Sequence, residues 1–143
     1  MIYLIKEAIL TRISLTDLNV LTEGDDDTLN DPELDAIQEV SSYLSYRYQT
    51  DLIFAPAQAE ADKHAIIKRI TVDILLYNLH SKVNPRNIPD KRIQLRDDAI
   101  KYLSEVANPR SEIQADFLPI KERPIGRGAD ISWGSRPKRN NNY

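Results

Sequence analysis

The sequence contains no cysteine, which excludes disulfides, thiol catalysis and thiolate metal sites and fits a reducing compartment. It contains two histidines, His64 and His80. They sit on what reads as one helix, about 24 Å apart, too far to share a metal within one chain. No apolar run reaches the roughly 18 residues that a membrane-spanning helix needs, so none is expected. The opening Met1-Ile2-Tyr3-Leu4-Ile5-Lys6-Glu7 has neither a basic lead nor a long apolar region, so a secretory signal is not expected. The metalloprotease, phosphate-loop and nucleophile-elbow patterns are all missing. Gly126-Arg127-Gly128 is too short to cradle a nucleotide, and Asp97-Asp98 point apart on a helix surface. No catalytic constellation is legible, and neither enzyme activity nor a cofactor is expected. Glycine is scarce: of 4 residues, only Gly24 precedes position 126. Little therefore interrupts helices in the middle of the chain.

What is present is a chain of 143 residues, 41% apolar, enough for one domain with appendages. Its centre is 61–81, free of Gly and Pro. At about 100° per residue, Ile66, Ile67, Ile70, Ile74 and Tyr77 share one face, and Ala65, Val72, Leu75, Leu76 and Leu79 the roughly opposite one. Arg69, Asp73 and His80 form a seam between them, and Thr71 with Asn78 the other seam. A surface helix needs one apolar stripe; a helix with two must be covered on both sides. Residues 61–81 thus predict the central rod of a small bundle, roughly 30 Å long.

Two further helices supply the covers. Pro32 and Glu33 open one that runs to Tyr48 with a stripe of Leu34, Ile37, Val40, Leu44 and Tyr48. Pro89 and Asp90 open the other, which presents Ile93, Ala99, Ile100, Leu103, Val106 and Ala107 and stops at Asn108-Pro109. A short helix over about 4–13 precedes them, and Leu52, Ile53 and Phe54 in the 49–60 connector are expected to tuck onto the bundle. Between lies a polar connection, 14–29, with an acidic loop at 16–30. Its Asp25-Asp26-Asp27 lacks the alternation, central Gly and closing Glu of a calcium loop, which leaves a solvated acidic loop. Tyr43, Tyr46 and Tyr48 could stack bases or rim a core with wet hydroxyls; the rim is favoured. The expected fold class is all-α: three main helices plus a short N-terminal helix in a domain of residues 1–108, followed by an extended C-terminal arm, 109–143.

The arm lacks periodicity and is broken by Pro109, Pro119, Pro124 and Pro137, yet it carries Phe117, Leu118, Ile120, Ile131 and Trp133. Such anchors point to a segment that orders against a neighbouring copy or a partner protein; the alternative is a free tail. The charge is segregated. The net −3 divides into −10 for residues 1–62, +3 for 63–118 and +4 for 119–143. Such segregation steers head-to-tail contacts between copies, or separates an acidic surface from a basic arm; ordinary surface variation is the alternative. Arg127, Arg136, Lys138 and Arg139 could touch phosphates, but no basic recognition helix stands out. Asp73, between the two apolar faces, needs a donor. Arg69, one turn earlier, and Arg47 are the candidates for a structural ion pair.

Taken in order, these pieces resemble the small helical head–tail adaptor (head-completion, or connector) proteins of tailed bacteriophages. The resemblance spans about 31–108. It rests on Asp35-Ala36 opening a helix that ends Tyr43-Leu44-Ser45-Tyr46-Arg47-Tyr48, on Ile67-Lys68-Arg69-Ile70-Thr71-Val72-Asp73-Ile74-Leu75-Leu76-Tyr77-Asn78-Leu79, and on Leu95-Arg96-Asp97-Asp98-Ala99-Ile100-Lys101-Tyr102-Leu103 before Asn108-Pro109. The N-terminal region is longer and the arm more extended than in the shortest members. The resemblance implies a structural virion protein without enzyme activity. Such proteins form a ring, usually of twelve copies, beneath the portal protein. They extend the DNA channel without sequence-specific contact and offer a platform to the next neck or tail protein. It implies a place at the virion neck, with host cytoplasm during assembly and no membrane. The contrasting expectation is a small helical DNA-binding or regulatory module.

Overall fold

The structure, a computed structural model, describes residues 1–113 and 115–121. The central rod is α5 (Ala65–Val83), which starts after an extended His64 and ends at Asn84, just before Pro85. It is covered on both sides as the double stripe requires. Ile67, Ile70, Ile74, Val72, Leu75, Leu76 and Leu79 are all buried. Each such side chain contributes about 1.5–3 kcal/mol relative to exposure. One cover is α3 (Asn30–Leu44) and the other α6 (Asp90–Ala107). The short α1 (Lys6–Leu10) and α2 (Leu15–Thr22) also lean on α5. A one-turn α4 (Thr50–Ile53) and 3-10 turns at Asp26–Leu29 and Glu60–Asp62 complete the described elements. The fold is all-α. Among the described residues no helix is long and apolar enough to cross a membrane.

Four expectations need correction. The polar connection 14–29 holds a helix. The Ser14 hydroxyl accepts from the Asp17 N–H at 3.1 Å and caps α2, whose Leu18 is fully buried. The chain then leaves α2 through two left-handed residues, Glu23 (φ 54°) and Gly24 (φ 78°), a stop that glycine favours. At the N-terminus, α1 covers less than 4–13. Tyr3 and Leu4 are buried in a bend ahead of the helix, because their N–H groups bond to the Glu33 side chain instead of to a helix.

The stripe of α3 is rotated. Leu34 is exposed, and Glu33 and Ala36 face inward with Val40 and Leu44. The helix also ends at Leu44 rather than Tyr48. Arg47 and Gln49 instead share backbone hydrogen bonds with a returning segment: the Gln49 N–H donates to Pro119 O, and Arg47 O accepts from the Lys121 N–H, both at 2.8 Å. Tyr48 and Ile120 form an isolated antiparallel bridge. Ile53 and Phe54 tuck in as expected, whereas Leu52 stays exposed. In α6, Ala99, Leu103 and Val106 are buried, Ile100 is half-buried and Ile93 is exposed.

The fourth correction concerns the arm. Its first part belongs to this chain's own core: Ala115 and Leu118 are buried with the bundle. Leu118 is therefore not a free anchor for a partner.

Candidate functional site

Three polar junctions and one groove carry what the surface and interior could do. The first junction is Asp73. Its side chain is 5% exposed, because it lies on the seam of α5 between the covers. Arg12, just past α1, meets it with both arms of the guanidinium: Nε to Oδ1 at 2.9 Å and Nη2 to Oδ2 at 2.7 Å. That bond raises the Arg12 pKa above its ordinary value, against the opposing effect of burial. The expected partners do not meet Asp73. Arg69 is exposed to solvent. The Arg47 guanidinium lies over the Tyr48 ring, 5.6 Å from its centroid. One Arg47 nitrogen is buried without a hydrogen-bond partner among the described residues. The physical reason is reach: a bidentate fork needs the guanidinium in the carboxylate plane. The α1–α2 corner delivers Arg12 there, whereas Arg69 on the same helix points outward.

The second junction is Glu33, fully buried in the first turn of α3. Its carboxylate accepts three backbone N–H groups, from Ile2 at 2.6 Å, Tyr3 at 2.9 Å and Leu4 at 2.6 Å. Lys63 reaches the same segment, donating to Tyr3 O at 2.6 Å and to Glu60 at 2.8 Å. Lys68 also binds Glu60, at 2.7 Å. The hydrogen bonds from Lys63 and then Lys68 hold the Glu60 pKa below the ordinary carboxylate value. Burial, and secondarily the Glu60 charge, push the Tyr3 hydroxyl up to about 12.

The third junction docks the returning segment on the turn after α3. Besides the backbone bonds, Gln49 Nε2 donates to Ile120 O at 3.0 Å. Phe117 stays exposed beside the His64 ring at 5.0 Å, and the Ile120 side chain is exposed. Of the three tyrosines, Tyr48 is buried, Tyr43 half-buried and Tyr46 exposed. They do not form an exposed row for bases. Arg127, Ile131, Trp133, Arg136, Lys138 and Arg139 lie outside the described residues.

The groove, about 680 Å³, opens between α2, the C-terminal end of α5 and the start of α6. Val20, Leu21 and Leu95 line it together with Arg12, Lys91 and Arg92. Arg92 donates to Arg12 O at 2.5 Å. Burial lowers its pKa, opposed by the Asp73 charge and, more weakly, Asp17, with a smaller push downward from Arg12. Among the described residues no group of three or more metal-ligating side chains is placed to hold an ion.

Arg12 and Glu33 are the residues that sequence reasoning missed. Glu33 read as a charge suited to a helix start, and nothing local marks it as an acceptor for a segment some thirty positions earlier. For Arg12, the one available hint was a lone arginine closing the apolar 2–13 stretch.

The model of a protein family described as Bacteriophage Mu, Gp36 matches residues 3–120. No curated protein matches the chain, and no solved structure does. The matched span runs from the segment held by Glu33 to the segment bridged to Tyr48.

Proposed function

The chain belongs to the bacteriophage Mu Gp36 family, and from that premise we propose that it is a structural neck protein of the virion. In this reading, copies assemble into a ring, twelve in number as the resemblance to head–tail adaptors implies, between the portal protein and the tail. The ring prolongs the DNA channel without reading sequence and presents a platform to the next neck or tail protein. It works without enzyme activity or cofactor, and passes through host cytoplasm before joining the neck.

The observation that carries the reading is the match to a phage family over 3–120, nearly the whole described body. Charge segregation supports it. The first 62 residues carry −10, so an acidic surface can face DNA without gripping it, while a basic tail remains for partner contact. Because the chain is fixed to its own body as far as Lys121, the partner-binding arm begins at residue 122.

Deleting 122–143 in the phage tests this. The expected result is a folded protein absent from the neck; normal incorporation rejects the arm's role. Electron microscopy of the purified full chain is expected to reveal rings that bind portal. A salt-sensitive shift of free duplex DNA, without rings, would instead favour the DNA-binding module.

A further inference from the structure

The groove carries Lys91 and Arg92, beside an Arg12 already paired with Asp73 and one carboxylate, Asp17, and it has a counterpart elsewhere on the same chain. Along α3, Asp31, Leu34, Asp35 and Gln38 are all exposed and fall at positions that share one helical edge. Leu34 is the apolar side chain of this edge, with two carboxylates beside it, and the edge forms one wall of a shallow hollow shared with the end of α5. Only a long 3.9 Å contact from Lys82 touches Asp31, and Asp35 makes no ion pair among the described residues. In the groove, Lys91 and Arg92 form no salt bridge among the described residues, although the Asp17 carboxylate lines the same groove and, with Asp73, acts on Arg92 from a distance. Lys91 and Arg92 also stand in the first turn of α6, where the helix dipole favours negative charge and these side chains are positive.

The two features lie on opposite flanks of the same end of α5. His80 lines the groove, whereas Asn78, Ser81 and Lys82 border the hollow beside the α3 edge. At about 100° per residue, His80 points roughly 150° away from the mean direction of those three. A chain cannot lay its own edge in its own groove, but the next copy can.

We infer that the α3 edge of one copy docks in the α2–α5–α6 groove of the next, Leu34 meeting Val20 and Leu21 while Asp31 and Asp35 meet Lys91 and Arg92. It is the helix-in-groove mode of recognition. Two different patches on opposite flanks make a heterologous contact, which repeats until it closes into a ring or runs on as a filament. The inference deepens the ring reading above by naming its surfaces, and it rests on that reading only for closure.

The test uses the full chain with exposed charges reversed. Lys91→Glu and Asp35→Lys are each expected to weaken self-association about tenfold, the scale of roughly 1.4 kcal/mol. An equimolar mixture of the two variants should recover it, as should the double variant, because each altered surface again meets its opposite. The absence of cysteine permits a second readout. Val20→Cys combined with Leu34→Cys should give a ladder of cross-linked copies on oxidation, while either substitution alone should give none. Association unmoved by both reversals, reversals that the mixture does not rescue, or equal cross-linking by the single variants would overturn the proposal. Virions that assemble normally with both reversed variants would remove these surfaces while leaving the neck role standing. A ladder from a protein that never enters the neck would do the opposite.

Discussion

Asp73 is the residue on which the interior depends most. A buried carboxylate stripped of its partner is far costlier than a lost surface pair. Arg12→Ala is therefore expected to lower stability by about 3 kcal/mol in denaturant unfolding, with Arg69→Ala close to neutral; the reverse order would contradict the assigned partner. That Asp73 needed a cation was legible from its seam position, since any carboxylate between two apolar stripes does. Which cation was not legible, because the contact joins residues far apart in sequence and depends on how the α1–α2 corner turns. Tyr3 gives a second expectation. Its hydroxyl is buried with no hydrogen-bond partner among the described residues, so Tyr3→Phe should stabilise the protein by about 1 kcal/mol near neutral pH. The sign with pH follows from its raised pKa. The folded state keeps the phenol proton up to about 12, while the unfolded chain releases it near the ordinary tyrosine value of 10.0. Stability from the neutral phenol is thus complete below pH 10 and declines as pH rises toward 12. Tyr3→Phe should flatten that alkaline decline, as read by melting temperature against pH.

At the scale of elements, periodicity served well where a helix is long and buries whole faces. The approximate spans of α5 and α6 follow from apolar spacing and flanking prolines, and the start of α3 from Pro32, whereas the face and the stop of α3 do not. It served poorly where a side chain substitutes for backbone partners. The first residues look weakly helical by their isoleucines, yet Glu33 takes three of their N–H groups and holds them out of the helix. Glu33→Gln retains the volume but weakens a charge-assisted acceptor. It should cost about 2 kcal/mol and raise amide exchange selectively at Ile2, Tyr3 and Leu4; uniform exchange across α3 and α5 would point to a different role. Similarly, α2 escaped notice because it is only two turns long and runs into the acidic Asp25-Asp26-Asp27 stretch, which suggested a loop, although Ser14 and Asp17 spell a cap. The end of α3 was set by strand-like pairing with residues 119–121, and no local signal in 45–48 announces a partner that distant.

For the whole molecule, the described C-terminal segment is structural before it is functional. Leu118→Ala should lower stability by about 2–4 kcal/mol, as expected for a large side chain removed from a packed core. Loss of 122–143 should leave the melting temperature of the body nearly unchanged. Equal melting temperatures for Leu118→Ala and the intact protein would place that residue outside the cooperative unit. The candidate interaction surfaces were legible only as charge bookkeeping by segment. Which charges remain unpaired, and on which flank, required the folded chain. A central helix covered on two faces has one more consequence. Its buried side chains, from Ile67 to Leu79, are packed on every side, so a change of size there has no open direction into which to relax. Diversification among related phages is expected to proceed by paired exchanges between α5 and its covers, while the outward edges of α3 and α6 drift freely or track whatever they touch.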